Sequence, residues 1–227
     1  MSIQLHTAMA RILAMPYFKN EAHKSSGAIF GHEDAVAIKI YDSGFLEKPK
    51  NLYPSLSKSL LKLWAETGDD TNLRAACVGL EEGSYILQPA GSQGFPDILI
   101  KDYGDRFVAI ECKSGQNGLC PMWNDNTPKP NTIYVLSSGI LNATTIFMGR
   151  DVISQEEQQL MNEQEFIIKK IVEEYNTKLL EIDKFGRGWS QKSRKQHFQM
   201  GGGAKTNYFT HCSRQLCEYN ALAYAKE

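Results

Sequence analysis

The chain has 227 residues, 42% of them hydrophobic and 22% charged, an ordinary globular composition with enough length for one full core. No stretch approaches the ~20 apolar residues that span a bilayer, which excludes a helical membrane protein. The net charge of −1 argues against a protein that coats nucleic acid indiscriminately. Five cysteines, an odd number without a CxxC pair, fit free thiols in a reducing compartment, and the opening "MSIQLHTAMARILAMPYF" lacks a basic leader and a cleavage site. The expectation is a cytoplasmic protein forming a single domain over 1–227.

In chain order, "SSGAIFGHEDAVAIKIYDSGF" predicts a helix entered at Ser25 or Ser26 and ended near Gly44, with Ile29, Glu33, Val36, Ala37 and Ile40 on one stripe. "SLSKSLLKLWAETG" predicts a second helix closed by Gly68, burying Leu60, Leu61, Leu63 and Trp64. A short strand "GSYILQPA" precedes a hairpin, "PDILIKDYGDRFVAIECK". The Gly, Asn, Asp and Pro content of "SGQNGLCPMWNDNTPKPN" predicts an irregular loop, followed by strands "TIYVLSS" and "ATTIFMGRDVI". Ser154 with Glu157 matches a capping box, and Leu160, Ile167, Ile171, Tyr175, Leu179 and Ile182 carry a long amphipathic helix to about Lys184. A closing helix, "RQLCEYNALAYAKE", completes an α/β chain with a mixed sheet between helices.

The hairpin holds the chemistry. With its turn centred on Gly104, residues whose numbers add to 208 face one another, which sets Asp97 opposite Glu111. Side chains alternate, so Ile98, Ile100, Val108, Ile110 and Cys112 share an apolar face, while Asp97, Leu99, Lys101, Phe107, Ala109, Glu111 and Lys113 share the other. Two carboxylates directly opposed, with Cβ atoms ~5 Å apart, repel. A divalent cation offsets that repulsion, since Mg²⁺ takes carboxylate oxygens and keeps waters that a phosphate can replace. The plainer alternative is a solvated edge whose charges alternate by chance.

"PD" at Pro96 and Asp97 followed by "ECK" at Glu111, Cys112 and Lys113 resembles the PD-(D/E)XK nuclease superfamily, and the continuation "CKSGQNGLCPMWNDNTPKPNTIYVLSSG" is similar to type II restriction endonucleases. The resemblance covers about Glu33 to Gly139. It implies a restriction-endonuclease-like core over about 25–150, a mixed central β-sheet flanked by helices. It also implies Mg²⁺ held by Asp97, Glu111 and the main-chain carbonyl of Cys112, with Lys113 assisting the attacking water. Glu33 matches the acidic residue that completes such sites from the first core helix; its alternative is a carboxylate at the edge of the stripe reaching water. The implied activity is hydrolysis of double-stranded DNA to 5′-phosphate and 3′-hydroxyl ends by a homodimeric type II restriction enzyme. The alternative is a structure-specific repair or junction-resolving nuclease of the same superfamily, and a non-catalytic DNA-binding protein is the third reading.

The segment 154–227 supplies a helix and the cations that DNA requires. From Lys184 to Cys217 there are seven Lys or Arg and no Asp or Glu, so a total of −1 leaves −8 on the rest of the chain. Arg187, Lys192, Arg194, Lys195, Gln196, Lys205 and Asn207 have the chemistry for phosphates or base edges. Asn124, beyond the catalytic strand, either touches DNA or bonds within its turn. His197 and His211 are read as isolated from carboxylates. "GGGAKT" lacks the glycine spacing of a Walker loop, so no nucleotide cofactor is expected.

Overall fold

The computed structural model describes residues 2–17, 21–22, 29–92, 94–124, 127–192 and 196–227, with the backbone alone at 21, 22, 29, 30, 124 and 196. In chain order the elements are α1 (Ile3–Leu13), β1 (Glu21–Ala22), β2 (Ile29–Phe30), α2 (His32–Tyr41), β3 (Leu46–Glu47), α3 (Lys58–Thr67), α4 (Thr71–Ala76), β4 (Ser84–Leu87), β5 (Ile98–Asp102) and β6 (Arg106–Gly115). Then come β7 (Trp123–Asn124), β8 (Thr132–Ser138), β9 (Ala143–Met148), α5 (Gln155–Glu181), β10 (Gln196–His197), α6 (Gly203–Thr206) and α7 (Arg214–Lys226). Six strands form one open mixed sheet in the order β3-β4-β5-β6-β8-β9. β3 with β4 and β6 with β8 run parallel, and the other pairs are antiparallel. Among the described residues, no helix is long and apolar enough to cross a membrane.

Both faces of the sheet are covered, as an α/β layering requires. On one, Ile98, Ile100, Val108, Ile110, Ile133, Val135, Ile146 and Met148 meet α1, α2 and α7 through Leu5, Met9, Ile12, Val36, Ile40 and Ala221. On the other, Leu99, Phe107 and Ala109 pack beneath Leu61 and Trp64 of α3 and Leu73 of α4. Farther along that second face lies an aromatic cluster of Trp123, Tyr134, Phe147 and Phe209. Local chemistry starts the helices where the packing needs them. Ser2 accepts from the Leu5 N–H and Ser57 from that of Leu60, and Ser154 and Glu157 close a reciprocal capping box. Gly68, at φ +78°, ends α3 in the left-handed region.

The hairpin register is the expected one: Ile98 faces Ile110, Ile100 faces Val108 and Asp102 faces Arg106, around Gly104 at φ +78°. Other expectations need correction. Helix α2 begins at His32, not near Ser25, because Ile29 and Phe30 pair with Ala22 and Glu21 in a short ladder; Ser25 and Ser26 lie outside the described residues. Leu63 is exposed, since α3 turns Leu61, Trp64 and Ala65 to the core. The loop after β6 is not wholly irregular: Trp123 and Asn124 pair with His197 and Gln196. Buried α1 and short α4 are elements that the sequence patterns above do not announce. The stripe of α5 is present but exposed, and Gln158 is the one buried residue of that helix.

Candidate active site

Three elements bring four charged side chains together. β6 carries Glu111 and Lys113 on one face, and the Lys113 ammonium pairs with Oε1 of Glu111 at 2.8 Å. Asp97 immediately precedes β5, and its Oδ2 accepts from the Cys112 N–H at 2.6 Å. Glu33 comes from the first turn of α2, where its Oε2 accepts from Nε2 of Gln88 at 3.1 Å. Gln88 follows β4 and is tied to the same place because its N–H donates to the Asp97 carbonyl at 2.7 Å. The register explains the convergence: Leu87 faces Ile98, so the next pair outward is Gln88 and Asp97, and beyond it lies Glu111.

The same register makes a prediction about the Cys112 carbonyl. An extended residue points its N–H and C=O to one edge, and the Cys112 N–H points toward Asp97. The β5–β6 pairing ends at Ile98 opposite Ile110, and Pro96, two residues before Ile98, has no N–H to offer the Cys112 carbonyl.

Burial makes the charges interact strongly. Burial, then the charges of Glu111 and Glu33, pushes the Asp97 carboxyl up to about 8, against the Cys112 N–H and Lys113. Glu111 is also raised, by burial above all, although Lys113 pulls it the other way. Burial works to lower Lys113, but the attraction and hydrogen bond of Glu111 outweigh it, and the ammonium is held above its usual range. The Lys113 ammonium thus faces both Glu111 and Asp97, the charge of Glu33 adds to the field at Asp97, and Oε2 of Glu111 is buried without a partner among the described residues.

That imbalance is a test for a divalent cation. Among the described residues there is no ready-made cage of three or more His, Cys, Asp or Glu side chains. Mg²⁺ does not need one, because it commonly takes one or two carboxylates and completes its shell with water and substrate phosphate. Asp97, the orphaned Oε2 of Glu111 and the Cys112 carbonyl are hard oxygen donors of that kind, and they fit.

The basic segment reaches this side of the sheet through the β7–β10 ladder. Gln199 reinforces the link: its Oε1 accepts from Nε1 of Trp123 at 3.2 Å and from the Tyr208 hydroxyl at 3.0 Å. Arg187, Lys192 and Lys205 are exposed. Arg194 and Lys195 lie outside the described residues, as do the side chains of Asn124 and Gln196. The side chain of Asn207 has a structural task, since its Oδ1 accepts from the N–H groups of Phe209 and Thr210 at 3.0 and 3.3 Å. His197 is not isolated: its ring pairs with Glu165 of α5 at 2.9 Å. Gln88 is the site residue the sequence reading misses; its signal, a polar residue directly after an apolar strand, gains meaning only once β4 is known to lie beside β5. No protein family model, no curated protein and no solved structure matches the chain.

Proposed function

We propose that the chain is a Mg²⁺-dependent endonuclease acting on double-stranded DNA, with a restriction-endonuclease-like core and the site at Asp97, Glu111, Lys113 and Glu33. The observation that carries this reading is the buried excess of carboxylate on one end of the hairpin, beside an ammonium and an unpartnered oxygen of Glu111. A structural ion pair has no use for the two additional carboxylates, and an isolated buried carboxylate is costly.

Asp97, Glu111 and the Cys112 carbonyl would hold the cation, which when bound supplies charge stabilisation at the phosphate and a more acidic water. Lys113 is protonated at neutral pH, so it does not take the proton from the attacking water. Its ammonium instead donates to that water and opposes the negative charge that builds on the phosphate. Gln88 orients Glu33 by its amide, and the charge of Glu33 adds to the negative field at Asp97 that a bound cation would offset. In the step a water oxygen bonds to phosphorus and gives up a proton to bulk water, the bond from phosphorus to O3′ breaks, and O3′ takes a proton from bulk water. The products are 5′-phosphate and 3′-hydroxyl ends.

One feature supports a sequence-specific restriction enzyme over a structure-specific nuclease. The acid-free segment with Arg187, Lys192 and Lys205 is joined to the loop leaving β6, so phosphate contacts and chemistry share one framework. Cutting both strands of a palindrome calls for two copies under two-fold symmetry. The test is digestion of unmethylated phage DNA by purified protein with Mg²⁺, beside EDTA and Glu111→Ala controls. Discrete fragments from the wild type alone support the proposal. Cleavage confined to branched DNA replaces restriction with junction resolution, and equal cutting by Glu111→Ala removes the site from the hairpin.

A further inference from the structure

The chain leaving α5 is wound around a single carboxylate. Oδ1 of Asp183 accepts from the Phe185 N–H at 3.1 Å, and its Oδ2 accepts from the Gly188 N–H at 2.7 Å. The N–H of Gly188 above all, with those of Phe185, Gly186 and Arg187, holds this carboxyl below its usual range. Gly186 and Gly188, at φ +63° and +62°, supply the left-handed backbone that lets successive N–H groups converge. Such a concavity ordinarily takes an external anion, and here the loop carries its own. Asn176 of α5 then fastens the returning chain, donating to the Gln191 carbonyl at 2.9 Å and accepting from the Gln191 N–H at 2.7 Å. The loop 183–191 is therefore tied at both ends, with its backbone donors satisfied from within.

What this ordered loop presents to solvent is aromatic and cationic. Phe185 is 82% and Trp189 72% exposed, and the Arg187 guanidinium lies 5.9 Å from the centroid of the Phe185 ring. Lys184, Arg187 and Lys192 are exposed, and no Asp or Glu stands between Lys184 and Cys217. One exposed ring is ordinary, but two beside three cations on a tied loop mark a binding surface. The cations select a polyanion. The ring faces select one with flat apolar groups between its charges, because bases stack on aromatic side chains while cations follow the phosphates. An anionic lipid surface offers the charge as well, but the segment returns to the loop leaving β6 through the β7–β10 ladder, which places it in one framework with the candidate active site.

We infer that Phe185 and Trp189 stack on DNA bases at a step opened in the duplex, with Lys184, Arg187 and Lys192 on the flanking phosphates. The inference rests on the DNA reading of the proposed function and adds to it the residues that touch base faces. Asp183 is a positioning residue, since it orders the loop without touching the nucleic acid. Opening a step costs free energy that a base already unpaired does not require, so a duplex with one unpaired nucleotide is the better ligand.

Trp189 supplies its own signal. Trp64 and Trp123 are each 4% exposed, so of the three tryptophans Trp189 is the one that acrylamide reaches. In EDTA, unlabelled duplex should quench the Trp189 emission and shield it from acrylamide, and the duplex with one unpaired nucleotide should do so at lower concentration. Binding is followed separately by the anisotropy of a labelled duplex. Trp189→Ala should weaken it about tenfold with the salt slope unchanged, because stacking is lost and no charge is. Trp189→Phe should keep most of the affinity. Asp183→Ala removes a negative charge beside the phosphates, so charge alone gives tighter binding; loss of loop order gives weaker binding, which is the expected result. Duplex binding that leaves Trp189 emission and acrylamide access unchanged overturns the inference and leaves the DNA reading standing. Tighter binding by Asp183→Ala overturns the role of the ordered loop. Quenching by phosphatidylserine vesicles and not by duplex gives the loop to lipid and overturns the inference as well. No binding to any duplex overturns both the inference and the DNA reading. Quenching by duplex without cleavage in Mg²⁺ removes the nuclease and leaves the stacking intact.

Discussion

The Cys112 N–H donates to Oδ2 of Asp97 at 2.6 Å, and this bond fixes a carboxylate within the field of the carboxylate of Glu111. The backbone holds Asp97 where its charge is unfavourable. A fold selected for stability alone would place an amide or an apolar group there, so the arrangement has the character of a site under functional strain.

Asp97→Asn should therefore stabilise the metal-free protein while abolishing cleavage. The sign follows from the raised carboxyl. Its ordinary value is near 3.8 and its folded value about 8, so the folded state holds a proton that the unfolded chain releases between those limits. The native state's advantage at this group is full below pH 3.8 and lost as pH rises through 8. The substituted amide keeps a hydrogen-bond acceptor for the Cys112 N–H and carries no charge. Melting in EDTA should show the variant above the wild type at pH 8, with the gap closing as pH falls toward 4. A variant less stable than wild type at pH 8 would contradict the account.

Among the described residues Lys113 is the cation paired with these carboxylates, and its removal leaves Glu111 without its ammonium. Lys113→Ala should cost about 3–5 kcal/mol in EDTA, the scale for breaking a buried pair from one side. Mg²⁺ should recover more stability for the variant than for the wild type, because bound cation replaces the missing charge. Cleavage should still fall by about two orders of magnitude, as the water loses its ammonium donor. Melting curves with and without Mg²⁺ separate these effects. Because the ammonium is held above its ordinary range, a loss of wild-type activity on the alkaline side of neutrality should persist in the Lys113→Arg variant.

Glu33 acts on Asp97 through charge and on Gln88 through a hydrogen bond, and Glu33→Gln separates the two. The variant can still accept from the Gln88 amide. Without the charge, the Asp97 carboxyl should titrate lower than in the wild type, measured by carbon NMR of labelled aspartate in EDTA. Cleavage should drop less than in Glu111→Ala, since Glu33 bonds to Gln88 and is not among the oxygens that would hold the cation. An unchanged Asp97 titration would place Glu33 outside the site.

How far the sequence anticipates this geometry depends on how local the signal is. One glycine and a strict alternation fix the hairpin register from Ile98 opposite Ile110 inward, and Gly68 closes α3, because turns and caps are decided by neighbours in the chain. Ile29 reads as helical by spacing but pairs with Ala22, a contact that no periodicity contains. Leu5, Ala8, Met9 and Ile12 do form a buried stripe on α1, yet two of these four are small or flexible residues in a segment that equally suits a plain N-terminal tail. Gln88 becomes a site residue only through the adjacency of β4 and β5. For α5, the pattern shows an apolar face and is silent on whether the chain itself or a partner covers it.

The basic segment yields a contrast between Lys205 and Asn207, which lie two residues apart with different tasks. Lys205 is exposed, and a phosphate contact through it would release counterions. Lys205→Ala should weaken binding to all duplex sequences alike and reduce the slope of log affinity against log salt by about one. Arg187→Ala and Lys192→Ala should behave the same way if those side chains lie on the DNA path. Asn207 spends its carbonyl oxygen on the Phe209 and Thr210 N–H groups, so Asn207→Ala opens the turn that seats Phe209 in the aromatic cluster. Its expected effect is a stability loss of about 1 kcal/mol for the lost turn bonds, with the salt slope intact. Titrations of a fluorescent duplex across a salt series, paired with urea melts, distinguish the two. A salt slope that changes for Asn207→Ala and not for Lys205→Ala would reverse the assignment.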